Sequence, residues 1–296
     1  MIVVLGGSGY VGSSIVNLLA NRGKEVRVLS RKDCDYYDPA SLGDAIGNAE
    51  FVINAAGYTG RPNVDACELH KHECLMGNSV LPGVVKEVCQ SKKLPWIQIS
   101  SGCIYTGTRE DGTGFTETDA PNFSFRYNNC SFYSGTKALG EEVLADAENC
   151  YILRLRIPFE NLDNPRNFLT KLLRYERLLR ATNSLTFLDE FAKSCLYCAE
   201  SRPEPGIYNV TNTGSVTTDE VVARLKSHGI TDKGFQFFDS EAEFMQKAAI
   251  AARSNCVMNN KKAVDAGFPL SHVHDALDQA MSNWIPESEV SSAATK

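Results

Sequence analysis

Met1-Ile2-Val3-Val4-Leu5-Gly6-Gly7-Ser8-Gly9-Tyr10-Val11-Gly12 opens the chain. Five apolar residues bounded by glycine predict a short buried strand, and apolar positions at helical spacing then run to about Asn21, where Gly23 predicts the stop. Between strand and helix stand Gly6, Gly9 and Gly12. That spacing suits a tight turn, close approach of backbone N–H groups to a pyrophosphate, and close helix–strand packing, with Tyr10 and Val11 in the first helical turn. A glycine triplet alone says little. Placed between an N-terminal strand and an amphipathic helix, it points to a dinucleotide site and to an α/β fold, a Rossmann-type doubly wound parallel sheet.

The rest of the chain repeats the alternation. Glu25 to Leu29 reads as a second strand ending in Ser30-Arg31-Lys32. An acidic residue there would hold the ribose 2′-hydroxyl of NAD, whereas a cation suits a 2′-phosphate, so NADPH is the expected cofactor with Arg31 against it. Asp35 and Tyr36 follow as candidates for flanking the adenine, and Asp38-Pro39 reads as an N-cap with proline at the first helical position. A third strand from Glu50 ends in Asn54-Ala55-Ala56-Gly57; the small side chains of Ala55, Ala56 and Gly57 would let a dinucleotide cross the sheet edge. Beyond the loop Tyr58-Thr59-Gly60-Arg61-Pro62-Asn63, a long helical region is expected to break near Gly77 and Pro82.

The apolar run Leu94 to Ile99 predicts a fourth strand, delivering Ser100-Ser101-Gly102-Cys103 to the edge where ligands bind. In extended chain Ser101 and Cys103 would point the same way. The turn-rich stretch Thr106 to Asn129, with Glu110, Asp111, Glu117 and Asp119, reads as a lid or substrate loop. On the helix predicted from Phe132 to Ala147, Tyr133 and Lys137 stand one turn apart, so the ammonium could lower the phenol's pKa. After a strand at Tyr151 to Arg156, a helix is expected with Phe168, Leu172, Tyr175 and Leu179 along one stripe. Lys171 falls about 70° from its middle, which suits a cleft lysine and a snorkelling one equally. Gly206 to Val210 predicts a returning strand, and Thr217 to Glu220 a helix cap.

Bulk properties narrow the partners. With 296 residues and 43 % hydrophobic content the chain can bury a large core. A formal charge of −6 supplies no basic footprint, so nucleic acid is not expected as a partner. No apolar run reaches membrane-spanning length and the first strand leaves no room for a signal peptide, so no membrane partner and a cytoplasmic location are expected. The ten cysteines then read as free thiols. Cys67, His70 and Cys74 could share a helix face without completing a zinc set, and Cys195 and Cys198 read as core; no metal is expected. The Ser- and Ala-rich end after Pro286 reads as frayed.

Together the glycine loop, Asn54 to Gly57, Ser101 and the Tyr133/Lys137 pair resemble the extended short-chain dehydrogenase/reductases over nearly the whole chain. Within them the chain is most similar to the plant-type 4-keto-6-deoxyglucose 3,5-epimerase/4-reductases that make nucleotide-activated L-rhamnose. Gly60 to Asp65, Gly102-Cys103-Ile104, Leu162 to Phe168, Asn183 to Thr186 and Arg253-Ser254-Asn255 carry that closer match. The resemblance implies that Ser101, Tyr133 and Lys137 reduce a C4 ketone, with Lys137 also holding the cofactor ribose. It makes Cys103 and Lys171 an epimerase pair, and places Thr59, Arg61, Asn63, Asn167, Arg253 and Asn255 around the nucleotide-sugar substrate.

It further implies a Rossmann domain at 1–160, with 186–212 returning to it, and a smaller, mostly helical C-terminal substrate-binding domain of 161–185 and 213–296. Two departures stand out: Ser100-Ser101 where the plant enzymes have Ala-Thr, and a longer Phe123 to Ser131 segment. A 4-reductase alone and a non-catalytic dinucleotide-binding regulatory subunit are the competing readings, although such subunits often lose the tyrosine or lysine. UDP against dTDP stays open, as does the oligomeric state, a homodimer included.

Overall fold

The computed structural model describes residues 1–61 and 63–289. The frayed end expected in the sequence reaches into 290–296 and to that extent lies outside the described residues, as does Pro62 of the Tyr58 to Asn63 loop. In chain order the main elements are β1 (Ile2–Leu5), α1 (Tyr10–Asn21), β2 (Val26–Leu29), α2 (Pro39–Ile46), β3 (Phe51–Asn54), α3 (Leu81–Ser91), β4 (Trp96–Ser101), α4 (Phe132–Val143), β5 (Cys150–Leu155), α5 (Phe168–Arg174), α6 (Leu188–Ser201) and β6 (Gly206–Asn209). The six strands form one parallel sheet in the order β6-β5-β4-β3-β1-β2. Between β1 and β3 the winding reverses, and a crevice opens there at the carboxyl ends of the strands.

Alternation along β1 explains the two faces. Ile2 and Val4 pack with Ile15 and Leu19 of α1 and Phe191, Cys195 and Cys198 of α6, whereas Val3 and Leu5 pack with Leu42 and Ile46 of α2 and Val85 and Val88 of α3. A strand buried on both sides needs a continuous apolar run, and Ile2 to Leu5 supplies one. A further apolar cluster joins Phe159, Leu169, Leu172 and Phe187 to Val221 and Leu225 of helix Thr218–Ser227 and to Ala276, Leu277 and Ala280 of helix Val273–Ser282. Thr217 and Glu220 close a capping box on the first of these helices. Among the described residues no helix is long and apolar enough to cross a membrane.

Three expectations need correction. Residues 71–91 do not break at Gly77 and Pro82: the backbone widens into a π-helical turn at Met76–Val80 and runs on into α3, whose second residue is Pro82. Helix α5 ends at Arg174 because Tyr175 turns extended, and Arg177–Leu178 pairs instead with Gln236–Phe237, so Tyr175 and Leu179 leave the expected stripe. The Thr106 to Asn129 stretch is no lid. It lies against residues 256–258 through backbone pairs at Gly107–Cys256 and Phe115–Met258, with Phe115 buried and stacked on Tyr105 at 4.5 Å, and it contributes nothing to the cleft wall.

Candidate active site

A cleft of ≈ 1640 Å³ follows the carboxyl ends of the strands. Pockets for one small ligand measure about 300–1,000 Å³, so this one has room for two. At its floor the glycine loop behaves as its spacing requires. Gly6 sits at φ +70°, a Cβ there would come 2.6 Å from Ala56 N, and a Cβ on Gly12 would come 2.2 Å from Gly6 O. The loop is therefore pressed against Ala55 and Ala56 on one side and against the first turn of α1 on the other. Gly9, Tyr10, Val11 and Gly12 line the cleft at the positive end of that helix, together with Ala55, Ala56 and Gly57. The N-terminus of α1 carries no acidic residue in its first turn, so a pyrophosphate fits it electrostatically. Arg31 stands on the rim.

Ser101 ends β4, and there the chain turns into a short 3₁₀ segment at Gly102–Ile104 instead of staying extended. The Ser101 hydroxyl caps this turn by accepting from Cys103 N at 3.2 Å, which still brings the Cys103 thiol to the cleft wall beside it. From α4, Tyr133 and Lys137 face the same point. The Ser101 hydroxyl lies near both the Tyr133 phenol and the Cys103 thiol and favours the ionised form of each. Lys137 Nζ donates to Ile99 O at 2.9 Å.

Burial raises the Tyr133 phenol well above its ordinary value, and the neighbouring Cys103 adds to it. The lysine does not override that, so the phenol stays protonated, contrary to the lowering expected from spacing. Burial also pushes the Lys137 ammonium down.

Lys171 projects from α5 and lines the same cleft. Burial lowers its pKa, and the Arg166 and Arg253 guanidiniums lower it further. Cys103 moves the other way. Burial raises its thiol, outweighing the Ser101 and Ser134 hydroxyls and the Arg156 and Lys137 charges that favour the thiolate. The cleft thus holds an amine biased toward its neutral, proton-accepting form and a thiol biased toward its proton-donating form.

Thr59, Arg61, Asn63, Arg253 and Asn255 line the outer cleft. Other expected contacts lie elsewhere. Tyr36 is 4 % exposed in the core beneath β2 and its hydroxyl donates to Leu29 O, while Asp35 accepts from Tyr37 N in a local turn; neither lines the cleft. Asn167, fully buried, caps α5 by accepting from Leu169 N and donates to Glu160 O and Leu162 O at 2.8 and 2.7 Å. It shapes the wall that carries Lys171 without reaching the cleft itself.

Two residues escaped the sequence reading. Asn78, on the π-helical turn, clamps the backbone of Tyr58, accepting from its N at 3.0 Å and donating to its O at 2.8 Å, and so fixes the loop after β3. An asparagine inside a mostly apolar helical stretch was its only signal. Arg156 follows β5 and enters the cleft buried. Its alternation with Arg154 could have marked it.

The family model described as the RmlD substrate binding domain matches residues 1–284. A bifunctional dTDP-4-dehydrorhamnose 3,5-epimerase/dTDP-4-dehydrorhamnose reductase of Arabidopsis thaliana is 41 % identical over 209 residues, 69 % of this chain and 67 % of that protein. A trifunctional UDP-glucose 4,6-dehydratase/UDP-4-keto-6-deoxy-D-glucose 3,5-epimerase/UDP-4-keto-L-rhamnose-reductase of the same plant is 40 % identical over 216 residues; the match spans 71 % of this chain but only 31 % of that protein's length. The crystal structure of the UDP-rhamnose synthase of Acanthamoeba polyphaga mimivirus superposes with a TM-score of 0.87 at 24 % identity, covering 95 % of this chain and 98 % of that one.

Proposed function

The chain belongs to the RmlD substrate binding domain family, and on that premise we propose that it converts a nucleotide-linked 4-keto-6-deoxyglucose to nucleotide-L-rhamnose by 3,5-epimerisation and NADPH-dependent 4-reduction. The observation that carries this reading is the convergence of Ser101, Tyr133 and Lys137 with Cys103 and Lys171 on one cleft. NADPH would lie with its pyrophosphate over Gly9 to Gly12, its 2′-phosphate at Arg31 and its ribose at Lys137. When bound, it supplies the hydride that reduces C4.

A C4 carbonyl acidifies the C–H bonds at C3 and C5. Hydrogen bonds from Ser101 and Tyr133 to that oxygen would stabilise the enolate. Lys171, neutral, takes a proton from one face, and Cys103 returns one from the other, which inverts the carbon. Each well-placed acid or base contributes about 10²–10⁴ in rate. Tyr133, protonated, then donates to O4 as C4 is reduced, while Ser101 holds the oxygen in place. Lys137, its ammonium pushed down by burial, is held on Ile99 O beside Tyr133.

The test supplies UDP- and dTDP-4-keto-6-deoxyglucose with NADPH in deuterated water and identifies the product by NMR. Rhamnose carrying deuterium at C3 and C5 is expected. NADPH oxidation only with the already epimerised 4-keto sugar would reduce the function to that of a 4-reductase, a reading that most of the same residues also serve.

A further inference from the structure

Arg156 is 6 % exposed, yet no carboxylate pairs with it among the described residues. Its Nη2 donates to Asn183 Oδ1 at 2.7 Å and to Ser254 O, both uncharged, and its Nε is buried with no partner. A buried guanidinium without a counter-charge is costly, and replacing it by an apolar side chain would remove that cost. The fold also fixes where the charge lies. Ser101 pairs with Leu155 across the parallel β4–β5 ladder, so the next residues, Gly102 and Arg156, are neighbours. A Cβ built on Gly102 would lie 3.5 Å from Arg156 Cδ, and Cys103 is the next residue.

We infer that Arg156 is the charge partner Cys103 acquires on giving up its proton, a positioning residue that acts through the thiol. The inference rests on the epimerase reading of Cys103. In the step concerned, the enolate carbon's electron pair forms a new C–H bond with the thiol proton, the S–H bond breaks, and its electron pair stays on sulfur. Negative charge therefore moves from the enolate oxygen to Sγ, where the Arg156 charge favours the thiolate. Water then carries the proton held by Lys171 back to the sulfur, and the pair is reset.

Other groups surround the same thiol. Tyr133 and Lys137 face it from α4, Cys67 from the turn Ala66–Leu69, and Cys130 from the loop before α4. Of these only Lys137 can carry a positive charge, and it is already tied to Ile99 O. Cys256, the other thiol beside Arg156, donates to Gly102 O at 3.3 Å; burial pushes it up, while the Arg156 charge and side chain favour its thiolate.

The experiment follows the alkylation of Cys103 by iodoacetamide against pH, with peptide mass spectrometry separating it from the other nine thiols. R156Q is expected to raise the apparent pKa of Cys103, so that alkylation at a fixed pH below it slows about tenfold. R156K, whose ammonium stands further back on a shorter reach, should raise it by a smaller step. An unchanged profile in folded R156Q overturns the inference, and if R156Q does not fold, an unchanged profile in R156K does so. The readout is independent of turnover. Retention of C3 and C5 exchange in C103A would end the epimerase reading while leaving the Arg156–Cys103 result intact.

Discussion

Arg253 and Asp65 meet at the outer cleft in a two-armed ion pair, Nη1 to Oδ1 and Nη2 to Oδ2, both at 2.8 Å. Asp65 Oδ1 also accepts from Ile250 N and Ala251 N, so one carboxylate aims the arginine and pins the segment that leads to it. Burial works against the charge, yet Arg253 and those amides hold the Asp65 carboxyl below its ordinary value. D65N keeps the shape and removes the charge. A hydrogen bond to a charged group contributes about 1.5–3 kcal/mol, so KM for the nucleotide sugar should rise roughly tenfold or more while kcat falls less. Steady-state kinetics on D65N and D65E check this, with partial rescue expected in D65E.

Exchange of the C3 and C5 protons should follow a bell-shaped pH profile. Its rising limb belongs to Lys171, pushed down by burial and the two arginines, and its falling limb to Cys103, pushed up by burial. K171R should abolish exchange, because a guanidinium cannot become the neutral base at any working pH. NMR of deuterium incorporation measures both limbs. A profile flat through the range in which Lys171 loses its proton would remove Lys171 from the role.

Burial pushes the Glu160 carboxyl up to about 7, even though the neighbouring Tyr10 hydroxyl favours its charged form. A carboxyl whose pKa is higher folded than unfolded binds more protons in the native state. Its stabilising contribution is complete below the unfolded value and is lost as pH rises through about 7. E160Q, neutral throughout, should therefore match the wild type near pH 5 and melt a few degrees higher at pH 8. Thermal unfolding at the two pH values decides it.

The elements legible in the sequence were those whose causes are local. The strand, glycine turn and helix from Ile2 to Asn21 need only short-range periodicity and one φ > 0 residue, and Tyr133 and Lys137 need only helical spacing. What escaped depends on distant partners. The 106–129 loop is fixed by residues 256–258, more than a hundred positions away, and its polar composition gave no hint of that docking. Asn167 and Tyr36 carry polar groups that suit a ligand or a backbone equally, and the backbone took them. For Arg156 the alternation with Arg154 was the one signal, and the environment that buries it comes from the distant Asn183 and Ser254.

Behind the end of β4, Arg154 and Glu141 form a buried ion pair, Nη2 to Oε2 at 2.7 Å, with side chains 3 % and 8 % exposed. Arg154 Nε also reaches both carboxylate oxygens, Nη1 donates to the Tyr105 hydroxyl at 3.0 Å, and the Ser100 hydroxyl donates to Glu141. The network ties β4 and β5 to α4, the elements that present Ser101, Arg156, Tyr133 and Lys137. Removing one charge strands the other, and breaking such a pair costs about 3–5 kcal/mol. E141Q should lose stability on that scale in urea unfolding. Removing both charges avoids the stranded ion, so E141Q/R154M should be less destabilised than the sum of the single changes, a coupling that a double-mutant cycle reads directly. If the two losses simply add, Glu141 and Arg154 act independently, and the strand end owes its position to packing around Tyr105 and Phe115.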